Sequence, residues 1–163
     1  MRVGNLEILN KNIYSPDIAV EYDGNCYFDF IGVKVISELL EGQDTKFRVP
    51  TDDDFEYLYN LGSRWVEQGE VGNNLAGRFF GKKANIATMD DLKNCIFLPA
   101  TGYCDPLAAL VSQNNTAYYW SSTCYNSSSR YVQCFNNNLV YSWNYYHKGD
   151  GFSVRCVRDA YGS

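Results

Sequence analysis

The 163-residue sequence predicts one α+β domain over residues 1–163. Three observations predict it. Short β-prone runs separated by turn residues dominate both ends of the chain. One stretch near the first third carries a sharply bounded helix signal. Hydrophobic residues make up 45% and charged residues 20%, a balance that lets a chain of this length build a core. Strands, then one or two helices, then many short strands give the α+β class.

The elements follow in order. "LEIL" and "IAVEYDGNCYFDF" are β-prone, and the Asp23-Gly24 pair inside "YDGN" predicts a hairpin turn. "VKVISELLEG" predicts a short helix stopped by Gly42, although "VKVI" alone also suits a strand. "PTDDDFEYLYNLG" gives the clearest signal. Thr51 is a natural N-cap, and Asp52, Asp53 and Asp54 favour the positive end of a helix dipole. Phe55, Leu58, Tyr59 and Leu61 recur at helical spacing, and Gly62 stops the run, so a helix is expected over 52–61. A strand is expected around 78–80, and "TMDDLKN" suits one helical turn or a loop. "CIFLPATGY" reads as a strand and turn, "DPLAALVSQNN" as a connecting loop, and "AYYWSST" as a strand. Residues 132–135 and 139–143 form a hairpin across "NNN", and "GFSVRCVRD" is the last strand, paired to an early one. Trp120, Phe97 and Phe152 are expected in the core.

Composition narrows the function. A net charge of −5 argues against nucleic-acid partners, which need clustered Lys and Arg. No run of about 18 apolar residues is present, so no membrane-spanning helix is expected, and the first residues show no secretory signal. The six cysteines have no C-x-x-C pair, which argues against a cysteine zinc site. Free packed thiols and one or two disulfides both remain open. His147 is the single histidine, so a multi-histidine metal centre cannot form within one chain. The G-x-S-x-G, H-E-x-x-H, P-loop and G-x-G-x-x-G motifs are absent. No enzyme, cofactor or metal is expected.

Three blocks carry a family resemblance. "FRVPTDDDFEYL", "IFLPATGY" followed by "YYWSST", and the closing "GFSVRCVRD" resemble the formylglycine-generating-enzyme-like branch of the C-type lectin fold. They are also similar to the Fibrobacter-type major paralogous domain. The resemblance implies a C-type lectin-like fold of short mixed or antiparallel strands with one or two helices. It does not imply one function, because that fold hosts enzymes, lectins and adhesins. The chain departs from the pattern in places. Phe55 replaces a usual tryptophan, Cys104 a common arginine, and "WNY" at 143–145 is not the "W-N-D" of calcium-dependent sugar binders.

The chain further resembles the variable proteins of diversity-generating retroelements, in which "WSST" precedes and "GFSVRCVRD" follows a diversified segment. The resemblance places that segment at about 124–150. Diversification at adenines of AAC codons reaches Asn, Tyr, Ser and His but not Met, Trp, Gln, Lys or Glu. Residues 124–150 contain no Met and no Glu, and only Gln133, Trp143 and Lys148 from the unreachable set. Chemistry points the same way. Tyrosine gives broad contact area with few torsions to freeze, and Asn and Ser adapt their hydrogen bonds, as in antibody paratopes. Tyr125, Asn126, Arg130, Cys134, Asn136, Asn137, Asn138, Tyr141, Asn144, Tyr145, Tyr146 and His147 are the candidate ligand-binding residues, expected on one exposed face. Strand alternation points Phe135 inward with Tyr131 and Gln133 on its face, and Val132 and Cys134 on the other. The expected partner is a macromolecular ligand, a cell-surface protein or glycan, met from a phage tail or a bacterial surface. Some members of the resembled family assemble as trimers, so a homo-oligomer is compatible. Two alternatives stand beside this reading. One is a bacterial surface or adhesin domain without diversification; the other is a formylglycine-generating-type enzyme.

Overall fold

A computed structural model describes residues 1–84, 88–126, 129–143 and 149–160, with the side chains of 142 and 143 excepted. The chain opens with strands β1 (Arg2–Val3) and β2 (Leu6–Ile8) and the hairpin β3 (Val20–Tyr22) and β4 (Asn25–Tyr27). Helices α1 (Phe30–Glu41) and α2 (Asp52–Leu61) follow. Next come β5 (Ser63–Val66), β6 (Gly77–Phe80), the single-turn α3 (Met89–Leu92) and β7 (Ile96–Pro99). The short strands β8 (Tyr103–Cys104) and β9 (Leu110–Val111) precede β10 (Ala117–Asn126), β11 (Ser129–Phe135), β12 (Val140–Trp143) and β13 (Val157–Asp159).

Local chemistry explains both main helices. Asp29 caps α1 by accepting the Gly32 amide at 2.7 Å, and Gly42 ends it. Thr51 and Asp54 form a reciprocal capping box on α2: the Asp54 amide donates to Thr51 Oγ1 at 3.1 Å, and the Thr51 amide to Asp54 Oδ2 at 2.8 Å. Arg48 also bonds Asp54, joining the approach to α2 to its first turn.

The architecture overturns the α+β, C-type lectin-like expectation. The described residues form five small antiparallel sheets with two main helices, 20% helical and 37% strand. The physical reason is the density of turn residues. Gly, Pro, Asn and Asp interrupt most of the chain after two to four strand residues, so the pairs close as separate small units. Isolated bridges then tie those units together, among them Phe28 with Phe152 and Tyr119 with Ser153. Two smaller expectations also change: the supposed 105–115 loop contains β9, and only Val157–Asp159 of the closing block is a continuous strand. The two ends do meet: β13 pairs with β2, Val157 opposite Ile8.

The centre of the molecule is the pair β10–β11, which is buried on both faces. Ala117 lies opposite Phe135 and Tyr119 opposite Gln133. Ala117, Tyr119 and Phe135 pack into a core with Phe55, Leu58, Phe80 and Leu98. Tyr118 lies opposite Cys134 and Trp120 opposite Val132. These turn to a second core with Phe28, Val33, Ile36, Phe152 and Val154. Tyr119 stacks on Phe135 with ring centres 5.9 Å apart, while Trp120 meets Phe152 edge-on at 5.2 Å. The Trp120 indole N–H donates to the Phe28 carbonyl at 2.6 Å. The strand alternation expected for 132–135 holds, but both faces are interior. Phe97, expected in the core, is only half-buried against Phe79.

Gly102 follows the "PAT" turn with φ +71°, and a Cβ there would sit 2.2 Å from the Val111 carbonyl oxygen. No side chain fits that close approach of two backbones.

Trp120→Ala should cost about 3–5 kcal/mol, because it opens a cavity in the second core and removes one of the two donors to the Phe28 carbonyl, leaving only the Phe152 amide. Denaturant melts would check this; a loss under about 1 kcal/mol would contradict the packing described.

Burial also makes the fold alkali-sensitive. It pushes the thiols of Cys104 and Cys156 up to about 11, and Cys134 and the Tyr118 phenol up to about 12. In the unfolded chain the thiols ionise near 9 and the phenol near 10. Folded values above unfolded ones mean the contribution is complete below the unfolded pKa and is lost as pH climbs through the folded pKa. The urea midpoint, under reducing conditions, should hold to about pH 8 and fall above about pH 9. A flat profile to about pH 10.5 would contradict it.

Candidate functional site

Among the described residues the candidates fall near the two ends of β11, on β10, β11, β12 and the 136–139 turn, roughly 20 Å apart at 3.3 Å per residue.

The first end is the exit of β10. Its pairing with β11 is irregular between Trp120 and Cys124 and again between Cys124 and Asn126. Such bulges bend a strand and re-aim its side chains. Exposure rises accordingly, from buried Ser121 to exposed Cys124, Tyr125 and Asn126. Tyr125 is 54% exposed and meets the half-buried Tyr131 ring edge-on at 5.8 Å. Ser129 Oγ donates to Asn126 Oδ1 at 3.0 Å. Arg130 reaches across to α1, donating to Ser37 Oγ at 3.1 Å. The scaffold below is held firmly. The Ser122 amide donates to the Pro50 carbonyl at 2.7 Å, and the Asp52 amide to Thr123 Oγ1 at 2.9 Å.

The second end is the 136–139 turn. Asn136 is spent on building it: its Oδ1 accepts the amides of Asn138 at 2.8 Å and Leu139 at 2.9 Å. Arg78 of β6 fixes the turn from below, donating from Nη2 to the Asn136 carbonyl at 2.5 Å and to the Asn137 carbonyl at 3.3 Å. Desolvation lowers the Arg78 pKa, and its Nε is buried without a partner. Asn137, Asn138 and Leu139 are left exposed. Tyr141, 40% exposed, stands on the neighbouring strand β12, opposite Cys134.

Cys134 is corrected outright. It is 0% exposed inside the second core, so it cannot touch a ligand. Alternation had placed it opposite Phe135, but a face away from one core is here the face of another. Asn144, Tyr145, Tyr146 and His147 lie outside the described residues.

Sequence reasoning missed Tyr131 and Ser129, which complete the first patch, and Arg78, which positions the second. The cross-strand position of Tyr131 near Tyr125 was the available signal; Arg78 is distant in sequence and gave none.

Between the patches runs a buried polar chain. The Tyr59 hydroxyl donates to Gln133 Oε1 at 2.7 Å, and Gln133 Nε2 donates to Asp52 Oδ1 at 2.9 Å. Gln133 is 2% exposed, so these bonds satisfy an amide that would otherwise be costly to bury.

The remaining chemistry offers little reactivity. All six cysteines are free, and five are buried with pKa values raised mainly by desolvation. Those five thiols stay protonated near neutrality, whereas a thiol nucleophile must ionise. Among the described residues no group of three His, Cys, Asp or Glu side chains could hold a metal ion. No helix among them is long and apolar enough to cross a membrane.

A family model described as "Domain of unknown function (DUF8237)" matches residues 81–157. That span contains β7 to β12 and therefore both patches, together with the doubly buried strand pair that carries them. No curated protein and no solved structure matches the chain.

Proposed function

We propose that the protein binds a macromolecular ligand through the Tyr- and Asn-rich surface of β10–β12, made variable by a diversity-generating retroelement. One observation carries this reading. Tyr125 and Tyr141 project from strands whose neighbouring residues Tyr119, Trp120, Val132 and Cys134 are wholly buried. Aromatic side chains on an immobile base lose little conformational freedom when they are covered. Asn126, Asn137 and Asn138 surround them with amides that can adapt to different partners. The lack of Met and Glu over 124–150 fits adenine-directed change if Gln133, Trp143 and Lys148 are fixed positions, although the chain has no Glu after Glu70.

The reading divides the labour. Tyr125, Tyr131 and Asn126 form one contact patch, with Arg130 on the other side of β11 against Ser37, and Asn137, Asn138 and Tyr141 form the second. A ligand that spans both is large, a protein or glycan surface. Asn136 and Cys134 serve the scaffold. In this reading the partner contacts are made without metal.

Two measurements test it. Replacing Tyr125, Tyr131 and Tyr141 by Ala should weaken binding to a panel of bacterial envelope proteins and glycans at least tenfold, about 1.4 kcal/mol. Each of the exposed pair, Tyr125→Ala and Tyr141→Ala, should shift stability by roughly 0.5 kcal/mol or less. Binding should survive a chelator. Unchanged affinity in the triple variant would sink the surface. For diversification, the gene should have a near-copy of the segment beside a reverse transcriptase gene, differing only at adenines. A locus lacking both would remove the retroelement from the proposal and leave an invariant binding domain.

A further inference from the structure

Arg155 is 4% exposed, yet none of the ion pairs among the described residues involves it. Its partners are neutral. Nε donates to Asn12 Oδ1 at 2.7 Å, and Nη1 donates to the carbonyls of Leu9 at 3.1 Å and Phe97 at 3.3 Å. Those three bonds use three of the five guanidinium N–H groups. The two on Nη2 have no protein acceptor among the described residues. Nη2 is not sealed either, since Arg78 Nε is the buried, unpartnered side-chain nitrogen.

Arg155 lines two shallow clefts of about 380 and 460 Å³ that share Asn10, Pro99 and Arg155. Lys93 stands in the first and Lys11 in the second. Neither lining contains an Asp or Glu, although the chain has 19 acids against 14 Lys and Arg. Asn10 is exposed, and its side-chain amide has no partner among the described residues.

We propose that this cleft is an anion site that takes the carboxylate of a small organic acid or an acidic sugar. One carboxylate oxygen accepts from Arg155 Nη2 and the other from the Asn10 amide. Lys11 draws the anion in, while Lys93 is already paired with Asp90 at 3.1 Å, and Pro99 gives the ligand's carbon frame an apolar floor. A charged donor largely shielded from water makes stronger bonds to an anion than an exposed one. The pre-formed bonds to Asn12, Leu9 and Phe97 hold the fork in place, so little freedom is lost on binding. Burial already lowers the Arg155 pKa, and an anion would oppose that effect.

The site is independent of the tyrosine surface, and its test keeps the two apart. The ¹⁵N–¹H signals of the full chain would be followed during titration with sodium acetate, sodium glucuronate and neutral glucose, at constant ionic strength set by sodium chloride. Saturable shifts of the Asn10, Lys11 and Phe97 amides and of Arg155 Nε–H are expected with both anions and not with glucose. Equal affinities for acetate and glucuronate would identify the bare carboxylate as the ligand group; tighter glucuronate would identify an acidic sugar. Asn10→Asp places a carboxylate in the cleft without disturbing a buried bond and should weaken either anion at least tenfold. Tyr125→Ala with Tyr141→Ala should change nothing here. No saturable shift with either anion, the same shifts with glucose, or full affinity in Asn10→Asp would each overturn the proposal.

Discussion

Most of this molecule depends on one strand pair that has no solvent face. Along 117–120 and 132–135 every side chain but Tyr118 is buried. Alternate residues feed different cores, so each strand must satisfy two packing problems at once. The pair's own ladder uses one edge of β10. Its other edge is met by residues 152–154, through Trp120 N–H to the Ser153 carbonyl at 2.9 Å and Ser153 N–H to the Tyr118 carbonyl at 3.1 Å. The N-terminal third then attaches through Phe28, whose carbonyl takes the Trp120 indole N–H. A chain made of very short strands gains cooperativity from such a shared centre, because few of its two-stranded units would be stable alone.

That centre decides where a binding surface can lie. Both faces of β10–β11 are occupied, so contact residues are left to the strand ends, the bulged exit of β10 and the edge strand β12. At the exit, two irregularities turn Tyr125 out of the interior. At the turn, Asn136 and Arg78 hold the backbone while Asn137 and Asn138 face water. The two ends use different fixatives for the same purpose. One is tied by hydroxyl and amide bonds to the start of α2, the other by a guanidinium that grips carbonyls.

The buried Arg155 and the half-buried Arg78 show how the fold treats charge. Arg78 and Arg155 both spend their donors on backbone carbonyls and neutral side chains. Arg48 and Arg158 instead pair with carboxylates near the surface. A guanidinium can act as a clamp on carbonyls because its five N–H groups diverge in a fixed plane. Where the carbonyls do not use all five, a donor remains to meet something else.

The sequence by itself determined what short-range chemistry controls. Thr51, the three aspartates and Gly62 bound the 52–61 helix; Asp23-Gly24 set the first hairpin; the asparagine run turned the last one. The apolar ends announced that they would meet. Periodicity also gave the right parity for 132–135. Parity reports which residues share a face; it says nothing about what covers that face. Cys134 was therefore expected at the surface although it lies in the second core, and the described contact residues fall near the two ends of β11. The C-type lectin-like arrangement failed for a related reason. Local motifs specify turns and caps, while the assembly of five small sheets follows from long-range contacts such as Trp120 with Phe28, Arg78 with Asn136 and Arg155 with Leu9. Those contacts join residues 58 to 146 positions apart. Only the folded chain brings them together, because burial and hydrogen bonding are settled by neighbours in space.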